Sequence, residues 1–175
     1  DVNNEAPIEE SNWIESAEQA DRLGVDVINT SLGYFIYDNP DYSYTYSQMT
    51  GNVSVMSRSA DIAFTRGMIC VTSAGNSDGS ANPHIGAPAD AALNVTVGSV
   101  TSAEEKSGFS SIGPAFGGRI KPDLMAMGTA SVVARQDGSI GTNNGTSFAS
   151  PILAGAITSF WSAFPNKTNA EIVQF

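Results

Sequence analysis

At 175 residues, 41% of them hydrophobic, the chain is long enough for one domain around a sizeable core. Its 18 acidic and 8 basic residues give a formal net charge of -10, and the basic residues are scattered singly, which excludes a basic nucleic-acid-binding face and leaves a weak pull on basic ligands. No apolar run approaches the roughly 18 residues of a membrane helix, and Asp1 opens without a charged-then-apolar signal segment, so membrane insertion is not expected.

Asp1 to Glu10 is polar and acidic and reads as an arm or loop. Ser11 is placed to cap a helix in which Trp13, Ala17 and Ala20 share a face and Gly24 is the stop. Val25 to Thr30 then reads as a strand ending at Ser31-Leu32-Gly33. Phe35 to Asn52 is a tyrosine-rich connection broken by Asn39-Pro40-Asp41. Tyr42, Tyr44 and Tyr46 alternate, so they either line one side of an extended segment or cover the edge of the core; covering is favoured, since no polar partner is identifiable. A second helix is predicted from Asn52 or Val53 to Arg66, and Met68 to Thr72 forms the next strand. Cys70 within it is a buried structural thiol with no partner for an intrachain disulfide.

Two αβ units in tandem predict a parallel sheet between helices, with ligands gathering beyond the carboxyl ends of its strands. Both strand ends carry small residues, Ser31-Leu32-Gly33 and Ser73-Ala74-Gly75-Asn76. Ser77 to Asp90 is a loop, Asn94 to Val100 a strand, and Gly118 to Leu124 a loop entering another short strand. Ala130 to Ala134 is a strand candidate, and Asp137 to Asn144 reads as a loop delivering Gly145-Thr146-Ser147-Phe148-Ala149-Ser150-Pro151 into the apolar segment Ile152 to Phe164. A serine in the first turn of a helix lies near the positive end of its dipole and beside unpaired backbone N–H groups, where an attacking oxygen is useful. The plainer reading is a helix start with Thr146 or Ser147 as its cap and Pro151 in the first turn. Thr168 with Glu171 forms a capping-box pattern for a last helix running on to Phe175.

The motif Gly145-Thr146-Ser147-Phe148-Ala149-Ser150-Pro151 resembles the serine motif of the subtilisin-like serine proteases, the subtilases. Gly24 to Gly33, Ser73-Ala74-Gly75-Asn76 and Phe109 to Asp123 resemble further blocks of that family, in its order. The resemblance implies an α/β fold, a three-layer parallel sheet with helices on both faces. It implies Ser147 as nucleophile and Asn76, with the backbone N–H of Ser147, as oxyanion donors. Ser31, Leu32 and Gly33 would offer backbone groups to an extended protein or peptide substrate. Ser73, Ala74 and Gly75 would wall the pocket for the side chain before the cut bond, their small size leaving room for a sizeable apolar group. Ala87-Pro88 aligns with a segment where the peptide bond is commonly cis.

The family's triad runs Asp, His, Ser along the chain, and its aspartate and histidine motifs are missing here. Asp1-Val2-Asn3 is not the aspartate motif, and His84, the one histidine, precedes Ile85-Gly86 on the wrong side of Asn76. The expectation is a single partial catalytic domain spanning 1–175, truncated at both ends and incomplete at the N-terminal side of its sheet. It would belong to a secreted or otherwise extracytoplasmic endopeptidase and be inactive alone. The rival reading is a noncatalytic peptide-binding module derived from a subtilase. No metal or cofactor is assigned from the residues, calcium being implied only by the resemblance. Self-association through the incomplete sheet is expected.

Overall fold

The computed structural model describes residues 5–174. Four parallel strands, β1 (Val27–Thr30), β2 (Ile69–Ser73), β3 (Val95–Val100) and β4 (Leu124–Met127), lie side by side in chain order, with β1 and β4 at the edges. Every residue of β2 is buried, as a central strand covered on both faces requires.

The alternation of side chains along the strands sorts them between two layers. Cys70 and Ile28 face one way and pack with Trp13 and Ala17 of α1 (Ile8–Leu23) and Met56, Ala60 and Ala63 of α2 (Val55–Thr65). Ile69, Val71, Val95 and Val97 face the other way, against Ala149 and Ala154 of α3 (Thr146–Ala163) and Ile172 of α4 (Asn169–Val173). The predicted α/β sandwich, with helices on both faces of a parallel sheet, is therefore present.

Differences from the sequence reading have local causes. The first helix starts at Ile8 rather than at Ser11, so Ser11 is internal and Glu9 and Glu10 belong to its first turn instead of to a loop. Tyr42, Tyr44 and Tyr46 do not line an extended segment, because Pro40–Tyr42 and Tyr46–Gln48 are 3-10 turns that splay them apart. Tyr42 is exposed, Tyr44 packs on the core, and Tyr46 stacks on His84 with ring centroids 3.9 Å apart. Half of the predicted 137–144 loop is strand: β5 (Ser131–Ala134) and β6 (Ile140–Asn143) form an antiparallel hairpin outside the main sheet. Cys70 is fully buried, and burial pushes its thiol up to about 12. The Ala87-Pro88 bond is cis, as are Gly113-Pro114 and Lys121-Pro122. The capping box at Thr168 and Glu171 forms as read, and Phe175 and Asp1-Val2-Asn3 lie outside the described residues.

One polar centre lies inside the α1–α2 layer. Glu10, 2% exposed, accepts through Oε1 from the hydroxyls of Tyr37 and Tyr44, each at 2.5 Å. Its Oε2 accepts from Ser54 Oγ at 2.6 Å and from the Met56 N–H at 3.1 Å, at the start of α2. Burial alone would raise the Glu10 carboxyl; the bonds from Ser54, Tyr37, Tyr44 and Met56 outweigh it and hold the pKa below its ordinary 4.5. A depressed carboxyl stabilises the fold above its unfolded pKa, and that contribution disappears as pH falls through the lower folded value. Glu10→Gln brings an amide donor among these donors and is expected to cost about 2–4 kcal/mol in denaturant unfolding at pH 7. The gap to wild type should close below about pH 4; a gap that is constant with pH would refute the ionised centre.

Candidate active site

Ser147 lies at the second residue of α3, whose N-cap is Gly145. Gly145 has φ 155° and ψ 149°, a backbone region essentially closed to other residues, and its N–H donates to the Gly128 carbonyl at 2.8 Å. At Gly128 itself a Cβ would come within 2.6 Å of the Gly145 oxygen, so only glycine lets the chain after β4 lie so close to the turn. Neither Thr146 nor Ser147 caps the helix; both are its first helical residues.

Pro151 also departs from the sequence reading. It stands in the second turn, where its nitrogen would have donated to the carbonyl four residues back, that of Ser147. The freed Ser147 carbonyl accepts instead from Ser31 Oγ at 3.0 Å. In return Ser147 Oγ donates to the Ser31 carbonyl at 3.3 Å, its one hydrogen bond among the described residues. Ser150 Oγ adds a bond to Asn29 Oδ1 at 2.7 Å, so the end of β1 and the start of α3 are joined three times.

The end of β2 is tied to the same turn. Thr146 donates to Asn76 Oδ1 through its backbone N–H at 2.9 Å and its hydroxyl at 3.0 Å, while the Gly75 N–H donates to Thr146 Oγ1 at 3.1 Å. A backbone N–H can only donate, so these bonds fix the amide with its oxygen toward Thr146 and its NH2 turned away, free to donate. Asn76 thus carries an unspent donor beside Ser147, and Thr146, which sequence reasoning treated only as a possible cap, is what orients it.

Ser31, Leu32, Gly33, Ser73, Ala74, Gly75, Asn76 and Ser147 all line one cavity of about 460 Å³ at the carboxyl ends of β1 and β2. The structure brings every predicted site residue together there. Leu32 and Gly33 spend no backbone hydrogen bond among the described residues, which leaves an extended edge open for strand addition. The lining is more polar than the small residues suggested, since Glu5, Glu9, His84 and Ser111 share it. His84 stands on this cavity but makes no hydrogen bond to Ser147. Sequence reasoning assigned it no role in the site, although it lies in the loop that follows Asn76.

Among the described residues no three His, Cys, Asp or Glu side chains converge to hold a metal ion. No helix among them is long and apolar enough to cross a membrane.

The subtilase family model (Peptidase_S8) matches residues 1–175. Subtilisin from Bacillus pumilus is 33% identical over 162 residues, covering 91% of this chain and 51% of that protein. Subtilisin NAT from Bacillus subtilis subsp. natto is 32% identical over 162 residues, covering 91% of this chain and 37% of its own length. Among solved structures, a cold adapted subtilisin-like serine proteinase superposes with a TM-score of 0.71 at 27% identity, covering 93% of this chain and 52% of that one. The chain thus spans between about a third and a half of the length of these relatives. With the sheet order, the glycine-bounded serine turn and the paired asparagine in place, these matches identify the chain as a member of the subtilase family.

Proposed function

We propose that the chain forms the nucleophile and oxyanion part of a serine endopeptidase. Ser147 Oγ attacks the scissile carbonyl carbon, its proton passes to a base, the amine leaves with a proton, and water then hydrolyses the Ser147 ester. Charge that builds on the carbonyl oxygen is taken by Asn76 Nδ2 and the Ser147 N–H, donors held in place before reaction. The observation that carries this reading is the pair of hydrogen bonds that Thr146 donates to Asn76 Oδ1, which leaves the amide donor unspent beside the serine.

Ser147 Oγ gives its hydrogen to a carbonyl rather than to a base. We therefore assign the base and its orienting acid to polypeptide outside residues 1–175, and the chain alone is expected not to turn over peptides. The same hydrogen bond supports a second reading, a noncatalytic module that binds extended peptides along 31–33. An extracytoplasmic home and a protein or peptide substrate follow from family membership as part of the proposal.

In the full-length protein, Ser147→Ala should abolish peptide hydrolysis. Asn76→Ala should lower kcat on the order of 10²–10³-fold with KM little changed, the loss expected for one oxyanion donor. Hydrolysis that survives Ser147→Ala would sink the assignment, and specific peptide binding with no hydrolysis would favour the noncatalytic module. Ser31 is a positioning residue in this scheme. Ser31→Ala uncovers the Ser147 carbonyl at an exposed site, so it should cost less than about 1 kcal/mol in stability yet lower kcat roughly tenfold at unchanged KM; an unchanged kcat would show that the pair does not place the nucleophile.

Self-association is a further part of the proposal, supported by exposed Leu124, Met125 and Met127 on edge strand β4 and Ile152 on α3. Light scattering should report dimers or larger species for the isolated chain; a monodisperse monomer would contradict this.

A further inference from the structure

The cavity beside Ser147 contains hydrogen-bonding groups that the protein itself leaves unused. His84 Nδ1 is shut off from solvent without a partner, and neither ring nitrogen makes a hydrogen bond among the described residues. Yet the ring is not loose. It stacks on Tyr46, whose hydroxyl is anchored on the Pro114 carbonyl at 2.8 Å, and the flanking backbone is bridged to Ile112 through Ile112 N–H to Pro83 O at 2.9 Å and Ile85 N–H to Ile112 O at 3.2 Å. Next to that bridge, Ser111 Oγ accepts from the Ser77 N–H at 3.0 Å and spends its own hydrogen on no acceptor. It lies directly beneath Gly75, where a Cβ would come within 2.8 Å of it. The imidazole, whose Nε2 makes no hydrogen bond among the described residues, and the Ser111 hydroxyl, whose hydrogen is unspent, both line one cavity and can donate to a ligand there.

Resting on the endopeptidase reading above, we infer that this pocket selects a substrate residue with a carboxamide side chain, glutamine, at the position whose carbonyl Ser147 attacks. An orphaned buried acceptor is tolerated better than an orphaned buried N–H, which puts the His84 hydrogen on Nε2 and leaves Nδ1 bare. Nε2–H and the Ser111 hydroxyl then offer two donors to one side-chain oxygen. A carboxylate would also accept them, but Glu5 and Glu9 line the same cavity and the chain carries a net charge of -10, so a third negative charge there is repelled. A carboxamide brings the acceptor oxygen without the charge, and its NH2 suits the carboxylates. An aliphatic side chain would fill the space and leave both donors unpaired. His84 is thus a specificity residue, and the room left by Ser73, Ala74 and Gly75 takes a polar side chain rather than an apolar one.

In the full-length protein labelled with ¹⁵N-histidine, the His84 ring resonances are those lost in His84→Phe. The labelled protein is titrated with acetyl-Ala-Ala-Gln, acetyl-Ala-Ala-Leu and acetyl-Ala-Ala-Glu, the acyl-side products of cleavage. The glutamine peptide should shift both ring nitrogens saturably and bind roughly tenfold or more tightly than the other two, as one net hydrogen bond to a buried donor gives. His84→Phe keeps a ring against Tyr46 and removes both nitrogens; the preference for glutamine, followed through backbone amide shifts, should vanish. Ring resonances unmoved by every peptide, leucine binding as tightly as glutamine, or a preference retained in His84→Phe would each overturn the inference. Hydrolysis by the full-length protein is scored separately. Glutamine-selective binding without hydrolysis refutes the endopeptidase and leaves the pocket standing, whereas hydrolysis that favours leucine refutes the pocket alone.

Discussion

The structure depends on a carbonyl that a proline sets free. Pro151 cannot donate to the Ser147 oxygen, and Ser31 Oγ takes that place from the end of β1. Ser147 answers through its own hydroxyl to the Ser31 carbonyl. A defect in the helix ladder becomes a tether between two elements 116 residues apart in sequence. Asn76 from the end of β2 and Gly128 from beyond β4 fasten onto the adjacent Thr146 and Gly145, so three strand ends fix one helical turn. A reacting oxygen must be held to within fractions of an ångström, and a turn bonded to three strands is far stiffer than a loop could be.

The two layers of the molecule divide the labour. On the α1–α2 side the buried carboxylate of Glu10 gathers two tyrosines and the first turn of α2, and its contribution is to the fold. On the α3 side the sheet offers a dry surface of Ile69, Val71, Val95 and Val97 against which the helix is seated, so its first turn is presented at the carboxyl ends of the strands. The cavity opens between these layers, which explains why residues of α1, of both strand ends and of α3 all reach it. Acidic groups enter from α1 and its approach, hydroxyl and amide groups from the sheet ends. Their meeting makes the pocket polar.

Sequence alone made the sheet legible because its signals are local. The apolar runs of β2 and β3, the stop at Gly24 and the capping box of α4 each depend on neighbours within a few residues. Ser147 and Asn76 were legible through the resemblance of their motifs to subtilase blocks; the residues alone read as a helix cap and a turn. What stayed hidden is long-range. Nothing near Glu10 announces that partners 27, 34 and 44 residues away will surround it, and a start at Ser11 looked better capped than the actual start at Ile8. His84 and Ser111 line one cavity where the 77–90 loop folds back onto Ile112. Pro151 was placed one turn early, and the Ser31 tether went unseen with it.

The central claim is that the turn at Gly145–Ser147, with Asn76, is an acyl-transfer site. The most direct measurement is covalent trapping of the full-length protein with a peptidyl phosphonate, whose tetrahedral phosphorus mimics the state that Asn76 and the Ser147 N–H are proposed to hold. Mass spectrometry of the digested adduct should place one phosphonyl group on Ser147, formed far more slowly in Asn76→Ala. A phosphonyl group on another serine, or a Ser147 adduct formed equally fast without the Asn76 amide, would contradict the account.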